Sequence, residues 1–331
     1  LRRRRLDAVP VTVPPGTTAR RLPAVRYSDD VSYTGTMLLF NVGGRPFNRL
    51  VARRAVARAL DLDVIAGNAT GAGTGVVPAD RGLLHPRSNW ALGSDPHRFA
   101  PQSARLAFAE QGIGAFTVAA PRNDPVRLAV GERVVRALEA VGAPATLREL
   151  SPRELDTALG RRGARVTFDV AVVGIPALAS YDPSFLRAMF GDPRTSPLND
   201  GSYRSALFDE LAETSASART GRERREIVRD ELRLLARELP VLPLLFGGGT
   251  IAYRPRAYDR WVSVRGSGIL DKRSFLRGEA TAAATPEARD AAARDLLDTS
   301  SDESFSLVPV IVGLALLMAF GGAVWLRRRA R

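Results

Sequence analysis

Between Phe116 and Val173 the period of the apolar residues switches back and forth, and this alternation restricts the chain to an α/β arrangement. Phe116 to Ala120 is a short apolar-rich run of strand length. Val126, Val130, Val134, Leu138 and Val141 then recur at helical spacing, and Gly142 supplies a stop. Ala145 to Leu150 predicts a second strand. Ser151-Pro152-Arg153-Glu154 predicts a capping box with proline at the first helical position. Phe168 to Val173 is apolar apart from Asp169, as a central strand covered on both faces must be. Strand, helix, strand, helix, strand at this spacing predicts a parallel lobe with right-handed crossovers.

A second strand–helix unit precedes it over Thr36 to Ile65. Met37 to Phe40 is an apolar run, and Gly43-Gly44 with Pro46 makes a turn. Asn48 is the expected N-cap, with Phe47 as a hydrophobic staple on the first turn. Val51, Ala55, Val56, Ala59 and Leu60 form the apolar face, opposite Arg54, Arg58 and Asp61. Gly67 to Arg98 reads as a long surface loop, after which Pro101 opens a helix that Gly112 ends. Gly71-x-Gly73-x-Gly75 lies in that loop without a following lysine or a strand-to-helix context, which excludes a phosphate-binding loop. Farther on, Thr220-Gly221-Arg222-Glu223 predicts another capping box, opening a helix with Ile227, Val228, Leu232, Leu235 and Leu239 on its apolar face. Pro240 stops it, and Val241 to Phe246, interrupted by Pro243, reads as an edge strand.

Composition removes several classes of function. The chain has 331 residues and no cysteine, which excludes disulfides, thiolate metal sites, a cysteine nucleophile and a lipidated cysteine on this chain. The two histidines, His85 and His97, sit in a Pro/Gly-rich segment without neighbouring ligands, so neither a metal site nor a catalytic constellation assembles. No enzyme activity and no cofactor are expected. The net charge of +13 comes almost wholly from arginine, Lys272 being the only lysine. Those arginines are scattered among Asp and Glu with no nucleic-acid motif, a usage that fits GC-rich coding, and no nucleic-acid partner is expected.

Several blocks resemble one family in order and spacing. Leu39-Phe40-Asn41, Pro46-Phe47, Arg53-x-Ala55 and Ala59-Leu60-Asp61 come first, and ARELPVLPLL, Ala236 to Leu245, comes last. Together they resemble the extracytoplasmic solute-binding proteins of ABC importers, in the oligopeptide, dipeptide and nickel class, family 5. The resemblance runs from about Leu6 to Gly278. It implies a periplasmic-binding-protein-like (type II) α/β second lobe with part of the first lobe. It implies partners too: an ABC permease with its ATPase, and a peptide or other small solute as ligand. Residues 1–35 would be a remnant of the first lobe, 36–246 the second lobe, and 247–278, opening on Gly247-Gly248-Gly249, the hinge and the return. Leu6 to Pro10 resembles the end of the first lobe, so about half of a full-length member is expected to be absent; no apolar run of a signal peptide follows Arg2 to Arg5.

By the same resemblance the ligand-lining residues are Ile175, Pro176, Ala177, Tyr181, Asp182, Asn199 and Tyr203. Peptide-binding members carry a tryptophan after the strand's glycine and an aspartate shortly after it. Here Ile175 follows Gly174, and Ala177 to Ser180 contains no acid. A buried ammonium needs a carboxylate partner, so a less charged solute is expected. After a tether over 279–304, Phe305 to Leu326 is uncharged and long enough at 1.5 Å per residue to span a bilayer. Arg327, Arg328 and Arg329 follow at once, predicting a single-pass membrane anchor with a cytoplasmic tail and an extracytoplasmic globular part. A sensing ectodomain that signals through a partner, or a fragment without function, would carry the same features.

Overall fold

The structure, a computed structural model, describes residues 7–11, 22–69, 75–93, 97–161, 164–266 and 268–275. The chain divides into two compact units, Leu1–Arg277 and Gly278–Arg331, and every described residue lies in the first. The tether, the span Phe305 to Leu326 and the basic tail at Arg327, Arg328 and Arg329 therefore lie outside the described residues. Among the described residues no helix is long and apolar enough to cross a membrane.

The first unit is built on one mixed sheet. Its strands are β1 (Ala8–Pro10), β2 (Arg26–Phe40), β3 (Val77–Pro78), β4 (Phe116–Pro121), β5 (Ala145–Leu150), β6 (Val170–Ile175) and β7 (Val241–Tyr253). They are ordered β1-β7-β2-β6-β4-β5, with β3 paired to β7. β5, β4 and β6 are parallel, as the alternation predicts. β2 runs antiparallel to both β6 and β7, so the parallel lobe extends into an antiparallel half. That half is not visible in local periodicity, because its two long strands are brought together from about 200 residues apart.

Strand alternation sorts side chains to two covered faces. Leu38, Phe40, Val118, Val170 and Val172 pack with helices α1 (Leu50–Ala59), α2 (Leu62–Ala69), α3 (Pro101–Glu110) and α4 (Pro125–Ala140). Met37, Leu39, Ala171, Val173 and Ile175 face the other way. There they meet α5 (Pro152–Ala158), α6 (Ala177–Tyr181), α7 (Phe185–Phe190), α8 (Ala206–Ser217) and α9 (Gly221–Glu238). The result is helix, sheet, helix, which explains why β6 reads as one continuous apolar run.

Local signals hold where the groups that satisfy them lie within a turn of helix. Gly112 and Gly142 adopt φ +57° and +78°, the left-handed conformation that ends α3 and α4. Ser151 and Glu154 form both bonds of the capping box on α5, and Ser151→Ala is expected to lower unfolding free energy by about 1 kcal/mol in a denaturant titration. At α9, Thr220 accepts from the Glu223 backbone, but Glu223 reaches back to the Arg219 N–H, one residue beyond the expected partner.

Four expectations are revised. Asn48 is not the N-cap of α1: its N–H donates to Gly44 O at 2.7 Å within a turn, and Arg49 holds the cap position without a side-chain bond. Phe47, instead of stapling the first turn, is fully buried against Phe40 and Phe116. β7 is not an edge strand over its whole length, since β3 pairs with Leu245 and Phe246 and β1 with Ile251 to Tyr253, but at Pro243 β2 is the one strand paired among the described residues. The proline is accommodated at a register shift, where Thr36 pairs with Leu245 and Met37 with Pro243, leaving Leu244 bulged. The loop expected from Gly67 is shortened, because α2 continues to Ala69 and β3 pairs within it.

Candidate ligand-binding cleft

A cleft of about 520 Å³ opens where three elements converge. β2 contributes Ser32, Thr34, Gly35 and Thr36, and β7 contributes Leu245, Gly247 and Gly248. The start of α4 contributes Asn123 to Arg127, and Val11 and Val76 complete the wall. Ligands of open α/β sheets lie beyond the carboxyl ends of parallel strands, and this cleft meets that rule at β4, which ends at Pro121 just before Asn123.

The ladder between β2 and β7 is interrupted at the cleft. Val31 pairs with Gly248 and Gly35 with Phe246, and Ser32 to Thr34 leave the register between them. Tyr33 N–H donates instead to Gly266 O at 3.1 Å, and Thr34 N–H donates to Ser32 Oγ at 3.2 Å. Gly35 must be glycine, because an added Cβ would stand 2.8 Å from Leu245 O.

Two charged side chains line the cleft, Asp124 and Arg127. Asp124 is the N-cap of α4, and its Oδ1 accepts from the Arg127 N–H at 3.0 Å. Its Oδ2 lies 3.2 Å from Arg127 Nε, so one carboxylate caps the helix and holds the guanidinium. Arg127 in turn lies over the end of β6, where a Cβ added at Gly174 would meet its Nη2 at 2.8 Å. The sequence signal for this corner is Asp124-Pro125, a cap residue followed by proline at the first helical position, directly after a strand.

None of the seven residues taken from the resemblance lines this cleft, and they divide into two groups. Ile175 is fully buried, with its Cδ1 3.0 Å from where a Gly35 Cβ would stand, so it supports the cleft floor from below. Asn199 ties its own loop, its amide donating to Gly191 O and Tyr203 O at 2.6 and 2.8 Å. Tyr203 is buried, its hydroxyl donates to Glu238, and burial holds its phenol well above the usual tyrosine range. These three side chains are engaged inside the lobe.

The other four sit at or near the surface. Pro176 caps α6 and Ala177 begins it, both half-buried. Tyr181 donates to Arg265 O at 2.8 Å, with its ring 5.0 Å from Tyr33. Asp182 is exposed and pairs with Arg224 at 2.9 Å.

Neither histidine belongs to the cleft lining. His85 is buried and stacked 4.7 Å from Tyr33, and burial lowers its pKa to about 4, leaving a neutral ring whose Nδ1 accepts from Arg87 N–H. His97 is likewise lowered to about 4 by burial. Among the described residues no group of three or more His, Cys, Asp or Glu is placed to hold a metal ion.

The solved structures that share this fold include the three that follow. The ABC transporter substrate-binding protein CtaP from Listeria monocytogenes superposes with a TM-score of 0.63 at 18% identity, over 72% of this chain and 48% of its own. The oligopeptide-binding protein AppA from Bacillus subtilis, in complex with a nonapeptide, gives 0.61 at 17% identity, over 71% and 49%. NikZ from Campylobacter jejuni, in complex with Ni(L-His), gives 0.61 at 16% identity, over 76% and 53%. The chain thus spans about half the length of the solved relatives it matches. No curated protein matches it. A family model for the bacterial extracellular solute-binding proteins, family 5 middle, matches residues 1–197. With that match over more than half of its length, the chain belongs to the bacterial extracellular solute-binding proteins of family 5.

Proposed function

We propose that this chain supplies the cleft-bearing lobe of an extracytoplasmic receptor that captures a peptide or other small solute and delivers it to an ABC permease and its ATPase. The observation that carries the proposal is the 520 Å³ cleft beside the carboxyl end of a parallel strand, in a chain of this family. Residues 36–246 form the second lobe, 1–35 belong to the first, and 247–278 lead back to it. β2 and β7 run alongside one another through the cleft wall, and their broken ladder at Ser32 to Thr34 is where they flex as a hinge. A ligand that contacts both lobes favours the closed state by its differential affinity, and the permease reads that state.

Pro176, Ala177, Tyr181 and Asp182 form the rim on the α6 side, while Ile175, Asn199 and Tyr203 hold the backbone that carries it. The uncharged stretch Phe305 to Leu326 anchors the receptor in the membrane, with Arg327, Arg328 and Arg329 on the cytoplasmic side. The relatives hold a nonapeptide and Ni(L-His), and solutes of that size are the first to try.

A thermal-shift screen of the full chain against peptides, sugars and metal chelates tests this reading. A true ligand at a hundredfold excess over its Kd is expected to stabilise the fold by about 2.7 kcal/mol. Silence from every class, or reproducible hydrolysis of any of them, would sink the proposal.

A further inference from the structure

We infer that the lobe carries a second binding site, an arginine-lined pocket for a phosphate group, away from the cleft and independent of the solute-receptor reading. Arg54, Arg58, Arg98 and Arg237 line a pocket of about 270 Å³, and among the described residues no Asp or Glu shares its wall. Arg54 and Arg58 stand one turn apart on one face of α1, Arg237 lies in the last turn of α9, and Arg98 just precedes α3. Three elements thus bring four guanidinium groups to one concavity. The pocket and the cleft have no lining residue in common. The pocket wall ends at Leu239 and the cleft wall takes up the same run of chain at Leu245, about 20 Å on at the rise of an extended strand.

The charge in this pocket is uncompensated. Elsewhere the exposed Arg26, Arg161, Arg194 and Arg233 each hold a carboxylate oxygen within 3.4 Å. Among the described residues none of the four pocket arginines forms an ion pair. Glu238 and Asp61, the described acids nearest in sequence to Arg237 and Arg58, are committed elsewhere. The Glu238 carboxylate accepts the Tyr203 hydroxyl, and Asp61 Oδ1 accepts the Val64 N–H at 3.1 Å. Nor does closing the carboxyl end of α9 need these side chains. Buried Arg53 already donates to Glu238 O through Nε and Nη2 at 3.1 and 2.6 Å, and Arg54 adds a contact of only 3.4 Å to Arg237 O. Like charges one helical turn apart repel, so the arrangement is completed by an anion.

The number and placement of the donors select the anion. One guanidinium fork spans a planar carboxylate, and the other three would be left unmatched. A tetrahedral phosphate presents acceptors in several directions at once, which suits forks arriving from three elements. Its charge fits as well. A phosphate monoester carries about −1.5 to −2 near pH 7, against a wall whose one histidine, His97, is neutral there. All four arginines are exposed, so the attraction is screened by salt.

The test titrates the full chain in a calorimeter with pyrophosphate, glycerol phosphate, glycerophosphoglycerol (a phospholipid headgroup without its acyl chains) and acetate. At least one phosphate probe is expected to bind tighter than acetate by roughly tenfold or more, and to weaken as salt is added. Arg54→Gln with Arg58→Gln should weaken that binding by roughly tenfold or more, and Arg98→Gln, outside any helix, reads the same site should the double variant fail to fold. Arg222→Gln removes an equal charge about 22 Å away along α9 and should leave the affinity unchanged. Tightest binding of glycerophosphoglycerol assigns the site to a lipid headgroup, and tightest binding of the other two assigns it to free phosphates. Acetate bound as tightly as every phosphate, or an equal loss from Arg222→Gln, overturns the inference. So does silence from all the phosphates, which leaves the solute receptor standing because the cleft shares no residue with this pocket.

Discussion

Replacing Phe47 by alanine is expected to lower the unfolding free energy by about 3–5 kcal/mol, among the largest effects of any single truncation in this lobe. Phe47 is fully buried, with its ring 5.2 Å from Phe40 and meeting Phe116 edge-on at 5.0 Å. Phe116 continues the contact to Phe108 of α3 at 6.4 Å, so one ring joins β2, β4 and the turn that launches α1. The Phe47 carbonyl also accepts from the buried Arg53 Nη1 at 2.5 Å, and Arg53 Nη2 reaches Glu238 O at the end of α9 at 2.6 Å. The turn is thus held by packing and by polar contacts together, and a cavity there cannot collapse freely. Domains of this kind have about 5–15 kcal/mol in total, so the loss is a large fraction of it. Urea titration of Phe47→Ala beside Leu106→Ala, whose side chain is 57% exposed, is the measurement. The Leu106 variant should stay within about 0.5 kcal/mol of the parent. A Phe47→Ala loss below that of Leu106→Ala would show that the aromatic contacts are not those described.

A second large effect concerns Glu231 on α9. Its side chain is only 1% exposed and Oε1 has no hydrogen-bond partner. Burial pushes its carboxyl up to about 7, with Ser215 and the Arg224 charge pulling weakly the other way. Between the ordinary carboxyl range and about 7 the folded chain binds a proton that the unfolded chain has released. Stability from this group is therefore complete at low pH and is lost as pH rises to about 7, by up to about 3 kcal/mol. His85 and His97, both held at about 4 and neutral in the fold, act in the opposite sense. Their contribution is present above the ordinary histidine range and is lost as pH falls toward 4, so the native profile masks the Glu231 slope. Glu231→Gln isolates it, because glutamine copies the protonated acid. The variant should match the parent near pH 4 and exceed it by up to about 3 kcal/mol at pH 8. A stability difference independent of pH would show that Glu231 is not buried in the fold as described.

The two predictions differ in how far the sequence anticipates them. Phe47 reads as an apolar residue near a helix start, and only its partners were misassigned. Glu231 reads as one acid among many on a charged helix, and nothing near it in sequence shows that it turns inward. The candidate site divides the same way. Asp124-Pro125 after a strand is a legible cap, whereas the meeting of Arg127 with Gly174 and with the broken ladder of β2 is not. Ile175, Asn199 and Tyr203 stand where the resemblance places ligand contacts, yet their side chains are engaged within the lobe.

By itself the sequence determined the parallel β4, β5 and β6 unit, the capping box at Ser151, the glycine stops at Gly112 and Gly142, and the family. The cap and the stops rest on groups within a few residues of one another, and the parallel unit and the family on short blocks whose period, composition and order along the chain can be read directly. Only the tertiary structure decided that β2 and β7 pair antiparallel beside that unit, that Pro243 falls at a bulge, and that Asp124, Arg127 and Gly174 meet at one cleft. Those outcomes depend on which distant surfaces bury each other, and the chain carries no local record of that choice.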